Sequence, residues 1–457
     1  MKTKAALSLA ILSALAAGSS YAAVTAEEAA RLGTTLTAWG AEKQGNADGT
    51  IPAYTGGMTK PPANYVAGSG VWVDPFADEK PLFTIDAKNV AQYADKLTPG
   101  VQEMIKRYPD SYQVNVYPTH RTYPQMSAER AAATIKNATN PECKTFASGV
   151  GLATDCYGGY PFPIPKDGYE VMWNHLVREK TTVGFEIRAT NLVVDAAGNL
   201  ASPQQYTAYL DYPYWTGGND GYYFHSLTNT LAPARDSGNK ILIWYPDRAD
   251  EKDQRSWSYS TGQRRVRLAP EFSYDTPITP LGGVLYFDEA NLFAGRMDRF
   301  DYKLIGKKEM YVPYNTYKQI TASNETLLGK KHVNPEVSRW ELHRVWVVEA
   351  TLKEGMRHAA SKRFYYIDED SWQAVASEGF DQSGKVFRVL LANTGANYIA
   401  GQGNMDWTSS LVGYDLARGG YTVVSSQGGD PKAYVKPIDK MPANIFTPDA
   451  MAGRGVR

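Results

Sequence analysis

The sequence is poor in cysteine, histidine and long apolar runs, and it has no excess of either charge. Lys plus Arg and Asp plus Glu number 48 each, so no whole-molecule field draws the chain to nucleic acid or an anionic membrane. Beyond residue 17 nothing stays apolar for the ~18 residues that a membrane-crossing helix needs. The six histidines, His120, His175, His225, His332, His343 and His358, include no pair at metal-ligand spacing. P-loop, HExxH, GxSxG and strand–GxGxxG–helix signatures are missing. These gaps leave the common nucleotide, dinucleotide, zinc-hydrolase and serine-hydrolase chemistries without support, and the expectation is a protein that is not an enzyme and uses no cofactor or metal.

Cysteine occurs only at Cys143 and Cys156. Their compartment is read from the N-terminus. Met1 to Lys4 is a short basic region, Ala5 to Ala17 is apolar, and Ser20 and Ala22 put small residues where signal peptidase reads. Residues 1–22 are therefore expected to be a signal peptide, cleaved after Ala22 or Ala23, and the mature protein to be exported. No cysteine follows either cleavage point, so a lipid anchor there is excluded. In an oxidising compartment Cys143 and Cys156 are expected to pair, closing a short loop worth roughly 3 kcal/mol.

What the chain has in quantity is aromatic residues, 31 Tyr and 10 Trp, which suit pleated surfaces and apolar cavities with a few polar tips. Thr25 and Glu28 form a capping box ahead of a short helix. Gly45 to Asp74 has no period and reads as an irregular strap. GNADGTIPAYTGG within it has the turn residues of a calcium loop, but Gln44 and Thr55 stand where the outer ligands belong, so calcium is not expected. Asn89 to Leu97, Val101 to Tyr108, a stretch from Ser127 to Lys136 and Glu170 to Arg178 read as helices. From Thr181 the period changes to two, in VGFEIRATNLVV, QQYTAYLDYPYW and KILIWY. RSWSYS and RRVRL follow, joined by a turn at Thr261 to Gln263, then RVWVVEATLK, RFYYI and KVFRVLL. The tail after Asp430 is punctuated by proline and reads as a loose wrap. The expectation is α+β: one domain over residues 23–457, with helices and straps over 23–180 and a large antiparallel sheet with the wrap over 181–457.

Several stretches together resemble one exported family: YPTHR at Tyr117 to Arg121, WNHLVR at Trp173 to Arg178, GQRRVRLAPEFSYD, DRFDYKLIGKKEMYVPYN and HRVWVVEATLKEGMRHAASKRFYYIDEDSW. The chain resembles the Gram-negative proteins grouped as domain of unknown function 1329. Its C-terminal half is similar to the lipoprotein-sorting carrier superfamily of the periplasm. That resemblance implies a strongly curved antiparallel sheet, a half-barrel, with helices covering its concave face over an apolar cavity. It also implies a periplasmic carrier of a lipid, lipoprotein acyl chain or other hydrophobic molecule, working beside a resistance-nodulation-division type transporter and an outer-membrane protein.

Strand alternation and aromatic character nominate Trp244, Trp257, Tyr259, Tyr302, Trp346 and Tyr366 as cavity residues. His120, Arg121, Arg264, Arg265 and Arg267 are nominated to meet a head group or a partner. Two other readings use the same residues: a secreted carbohydrate-binding or carbohydrate-cleaving β-protein, and a scaffold of an envelope complex. The first requires convergent carboxylates beside exposed rings, the second a large apolar surface patch.

Overall fold

The computed structural model describes residues 24–179, 184–217, 221–399, 403–405, 410–442 and 444–453. The signal segment expected over residues 1–22 and its cleavage point lie outside them.

The first part of the chain is helical where local chemistry starts a helix. Helix α1 (Ala26–Ala30) begins at the Thr25–Glu28 capping box. In α2 (Pro99–Arg107) the Thr98 hydroxyl accepts the Val101 N–H, Pro99 occupies the first turn, and Val101, Met104 and Ile105 form the buried side. Ser127 caps α3 (Ala128–Thr139) and Asp167 caps α4 (Gly168–Leu176), which is buried nearly all round. The stretch between α1 and residue 83 holds only turns and isolated bridges, and Trp39, Ile51 and Trp72 pin it to the core.

The sheet has sixteen strands, is open, and curves as a half-barrel. In chain order they are β1 (Phe83–Ile85), β2 (Val114–Val116), β3 (Gly184–Val194), β4 (Gln204–Asp211), β5 (Tyr222–Thr230), β6 (Lys240–Pro246), β7 (Arg255–Ser260) and β8 (Arg265–Leu268). There follow β9 (Phe300–Pro313), β10 (Trp340–Leu352), β11 (Lys362–Asp368), β12 (Ala374–Phe380), β13 (Val386–Ala392), β14 (Leu411–Asp415), β15 (Gly420–Ser426) and β16 (Tyr434–Ile438). The spatial order is β1-β2-β10-β11-β12-β13-β14-β15-β3-β4-β5-β6-β7-β8, with β9 also on β10 and β16 also on β3. Every pairing is antiparallel except the single parallel contact of Trp340 with Val116. The early strands β3–β8 thus join the later meander β10–β15 where β15 pairs with β3.

Helix α2 packs on β13, and α4 packs on β9 and β10. The segment 269–297, between β8 and β9, covers β3, β12 and β13 from one face. On the other face of β5–β7 lies a separate core of Leu227, Leu242 and Tyr259, closed by Ile445 and by Met451 of the C-terminal helix Pro448–Gly453. The tail is therefore not a loose wrap. β16 pairs with β3 from Tyr434 to Ile438, and Ile445 and Met451 are sealed from solvent. Proline count in the tail misleads because Pro437 sits in β16, whose only strand partner among the described residues is β3.

Candidate functional site

A cavity of about 660 Å³ lies between the face of β3–β7 and the segment 269–292. Strand alternation builds its floor. From β5 it receives Phe224, Ser226, Thr228 and Thr230, and from β6 Ile241, Ile243 and Tyr245. The register sets these in rows across the sheet. Thr228 stands beside Ile241, Ile241 beside Ser258, Ser226 beside Ile243, and Leu210 beside Ser226. Phe224 and Tyr245 stack at 5.3 Å. The roof supplies Ile278, Leu281, Leu285 and Phe287, with Phe272 stacked on Phe287 at 4.7 Å. One end of the space is apolar, at Leu210, Phe224 and Tyr245; the other is polar, at Asn191, Gln204, Thr230, Asn239 and Arg267.

Buried ion pairs hold the roof down. Asp288 accepts from Arg363 of β11 at 2.7 Å and meets His358 at 3.0 Å. Burial pushes the Asp288 carboxyl up, but Arg363 and His358 outweigh it and bring it to about 2. Glu289 meets Arg388 of β13 at 3.1 Å, and Arg388 also reaches Asp415 of β14 at 3.3 Å.

Of the nominated cavity residues, only Tyr259 borders this space, and its ring belongs to the far-face core, 5.5 Å from the Lys240 ammonium. Trp244 and Trp257 meet each other at 4.8 Å on that far face, where the Trp244 indole donates to the Phe446 carbonyl at 3.1 Å. Tyr302 packs among Tyr169, Phe293 and Tyr365 in the main core. Trp346 stacks on Trp372 at 5.9 Å, with the Lys307 ammonium 4.7 Å from its ring. The Tyr366 hydroxyl donates to Glu378 at 2.8 Å. Ile241, Ile243 and Tyr245, which do enclose the space with Phe224, alternate along β6 with the nominated Trp244. The signal available was the apolar Ile241 and Ile243 in KILIWY, one residue out of phase with Trp244.

The nominated polar contacts separate as well. Arg121 is buried, closed off from any head group, and grips Asp370 with two hydrogen bonds, at 2.8 and 2.6 Å. His120 sits 2.7 Å from Glu79 and stacks on Phe76 at 4.1 Å. Arg264 and Arg265 are exposed on the β7–β8 hairpin, and Arg267 lines the polar end of the cavity.

Arg121 belongs to a network that ties β9, β10 and the turn after β11 to Glu42, just ahead of the strap. Lys307 joins Glu42 at 3.1 Å and Glu369 at 2.8 Å, and Arg344 reaches Glu369 at 3.3 Å. His343 meets Glu341 at 3.1 Å, and Tyr314 and Ser371 donate to Asp368. Among the described residues, His343, Asp368 and Asp370 form the group of three ligand-type side chains close enough to share a cation, their atoms lying within 4.8 Å of one another. Asp370 already holds Arg121, and His343 already holds Glu341.

Comparison with known proteins bears on this architecture. A family model described as "Protein of unknown function (DUF1329)" matches residues 84–452. The chain belongs to the DUF1329 family. It is 40% identical over 448 residues to the uncharacterized protein PA3922 of Pseudomonas aeruginosa, covering 95% of each chain. Among solved structures it is similar to a DUF1329 family protein from Desulfovibrio piger, at 16% identity and a TM-score of 0.41, over 60% of this chain and 92% of that one. A putative outer-membrane lipoprotein-sorting protein domain from Vibrio parahaemolyticus matches at 11% identity and a TM-score of 0.41, over 60% and 93%. A LolA superfamily protein from Nitrosomonas europaea matches at 12% and 0.37, over 62% and 99%. The DUF1329 span takes in the whole cavity and, apart from Glu42, both ion-pair networks, and it begins after the strap at 45–74.

Proposed function

We propose that this DUF1329 protein is a non-enzymatic carrier of a hydrophobic molecule in the periplasm. In this reading it takes the molecule from one envelope membrane and delivers it to the other, with a resistance-nodulation-division type transporter as its partner. The observation that carries the reading is the cavity on the β3–β7 face. Its 660 Å³ falls within the roughly 300–1,000 Å³ of small-molecule sites, and its inner end is walled by aliphatic and aromatic side chains. Burying an acyl chain there would recover about 0.8 kcal/mol per CH₂, so no covalent step is needed for tight binding. The roof segment offers a route of entry, because it is anchored through Asp288 and Glu289 at one edge and packs on the floor elsewhere through apolar contacts.

The test is native mass spectrometry with solvent extraction of protein purified without detergent. A co-purifying hydrophobic molecule is expected, together with uptake of fluorescent fatty-acid probes. Ser226→Trp, which fills the floor without adding charge, and Ile243→Glu, which charges it, should each abolish uptake while far-UV circular dichroism stays unchanged. A clean apo mass with no uptake of fatty-acid or sterol probes would overturn the carrier.

A further inference from the structure

We infer that the cavity receives an amphiphile with one negatively charged group, held by Arg265 and Arg267, and with its hydrocarbon chain laid toward Phe224 and Tyr245. The inference rests on the carrier reading and adds the polarity and charge of the cargo.

Register places the two arginines. In the β7–β8 hairpin Arg267 stands beside Ser258, and Arg265 beside Ser260. Ser258 and Ser260 belong to the cavity wall, so both guanidinium groups leave the strand on the cavity side. Val266 and Leu268 stand beside Tyr259 and Trp257 on the far face. The RVRL run is thus sorted by the pleat, Arg265 and Arg267 to the cavity side and Val266 and Leu268 away from it.

The same register shows where along the cavity they lie. Arg267, Ser258, Ile241, Thr228 and Ala208 form one row across five strands. Arg265 and Ser260 begin the next row out, which ends at Thr230 and Tyr206. The arginines therefore share rows with hydroxyl and amide groups. One row further in stand Ile243 and Leu210, and beyond them Tyr245 and Phe224. From Thr230 to Phe224 the strand runs roughly 20 Å at 3.4 Å per residue, the reach of an extended long-chain acyl group.

Charge completes the argument. Arg235 at the same end is already paired with Asp236 at 3.2 Å. Arg264, Arg265 and Arg267 have no ion-pair partner among the described residues. Uncompensated guanidinium groups at the polar mouth of an apolar cavity suit a carboxylate or a phosphate, either of which accepts two parallel N–H bonds. The shared chemistry is an anionic single-chain amphiphile, with a free fatty acid and a lysophospholipid of the phosphatidic type as its two sources.

The experiment compares binding of labelled hexadecanoate, lysophosphatidate and hexadecanol to delipidated mature protein. Both anions should bind roughly tenfold more tightly than the alcohol at low salt, and the gap should narrow at high salt. In Arg265→Gln/Arg267→Gln, whose altered side chains are exposed, the anions should lose that advantage while hexadecanol binds as before. A preference for lysophosphatidate points to a lipid head group, and a preference for hexadecanoate to a free acid. Equal affinities of hexadecanol and hexadecanoate for the wild-type protein would overturn the charge assignment and leave the carrier standing. Failure of all three to bind would overturn both.

Discussion

Arg121 shows what a residue can and cannot declare. The YPTHR stretch marks it as distinctive, yet its partner Asp370 is 249 positions away, and no local pattern records a contact of that separation. Buried at both ends, the pair is costly to break because a lone carboxylate would remain beside Glu369. Arg121→Ala should lower the unfolding free energy by about 3–5 kcal/mol, whereas Arg264→Ala, on an exposed turn, should change it by no more than about 0.5 kcal/mol. Urea unfolding of the two variants beside the parent checks both values. The same limit explains the nominated tryptophans. Trp244 and Tyr245 are neighbours on one strand with rings on opposite faces, and aromatic character alone ranks them equally.

Among the elements, those begun by near neighbours were legible. Thr25, Thr98 and Ser127 each cap the helix that follows them, because capping joins residues two or three apart. The β7–β8 hairpin reads directly from its alternation. Less legible were β5, β14, β15 and β16. In β14 every residue is buried, so no period of two marks it. The cysteine loop is an element of the legible kind. Cys143 and Cys156 are joined across 13 positions, and the loop between them is tied to α3 where Asn137 donates to the Cys156 carbonyl at 2.9 Å. Replacing both cysteines by serine should cost about 3 kcal/mol by the loop-entropy relation, measured as a shift in the urea midpoint at unchanged slope. An unchanged midpoint would mean that the packing of the loop, and not its closure, provides the constraint.

For the whole molecule, two carboxyls far apart in the fold give one pH dependence. Burial pushes Glu170 at the start of α4 and Glu378 in β12 up from 4.5 to about 7. Glu378 accepts from the Tyr366 hydroxyl and the Gly100 N–H, joining the sheet to α2. Between pH 4.5 and 7 the folded chain holds these protons while the unfolded chain releases them. Their contribution is therefore fully present below about pH 4.5 and is lost as pH rises through about 7. Glu378→Gln should flatten the fall in stability across that window, by on the order of 1–3 kcal/mol. Thermal unfolding at several pH values in one buffer series tests it, and a slope equal to the parent's would reject the assignment.

The sequence by itself determined which residues start helices, where the period changes to two, that β7 and β8 form a hairpin, and the family to which the chain belongs. Each of these depends on neighbours a few positions apart or on a long contiguous pattern. Only the tertiary structure decided which sheet face encloses the cavity. Both faces of β5–β7 are covered, one by the segment 269–292 and the other by the C-terminal helix. Alternation divides side chains between two faces with equal force. Which face stays hollow depends on how well each distant cover fills the space above it, and that is a property of packing across the whole fold.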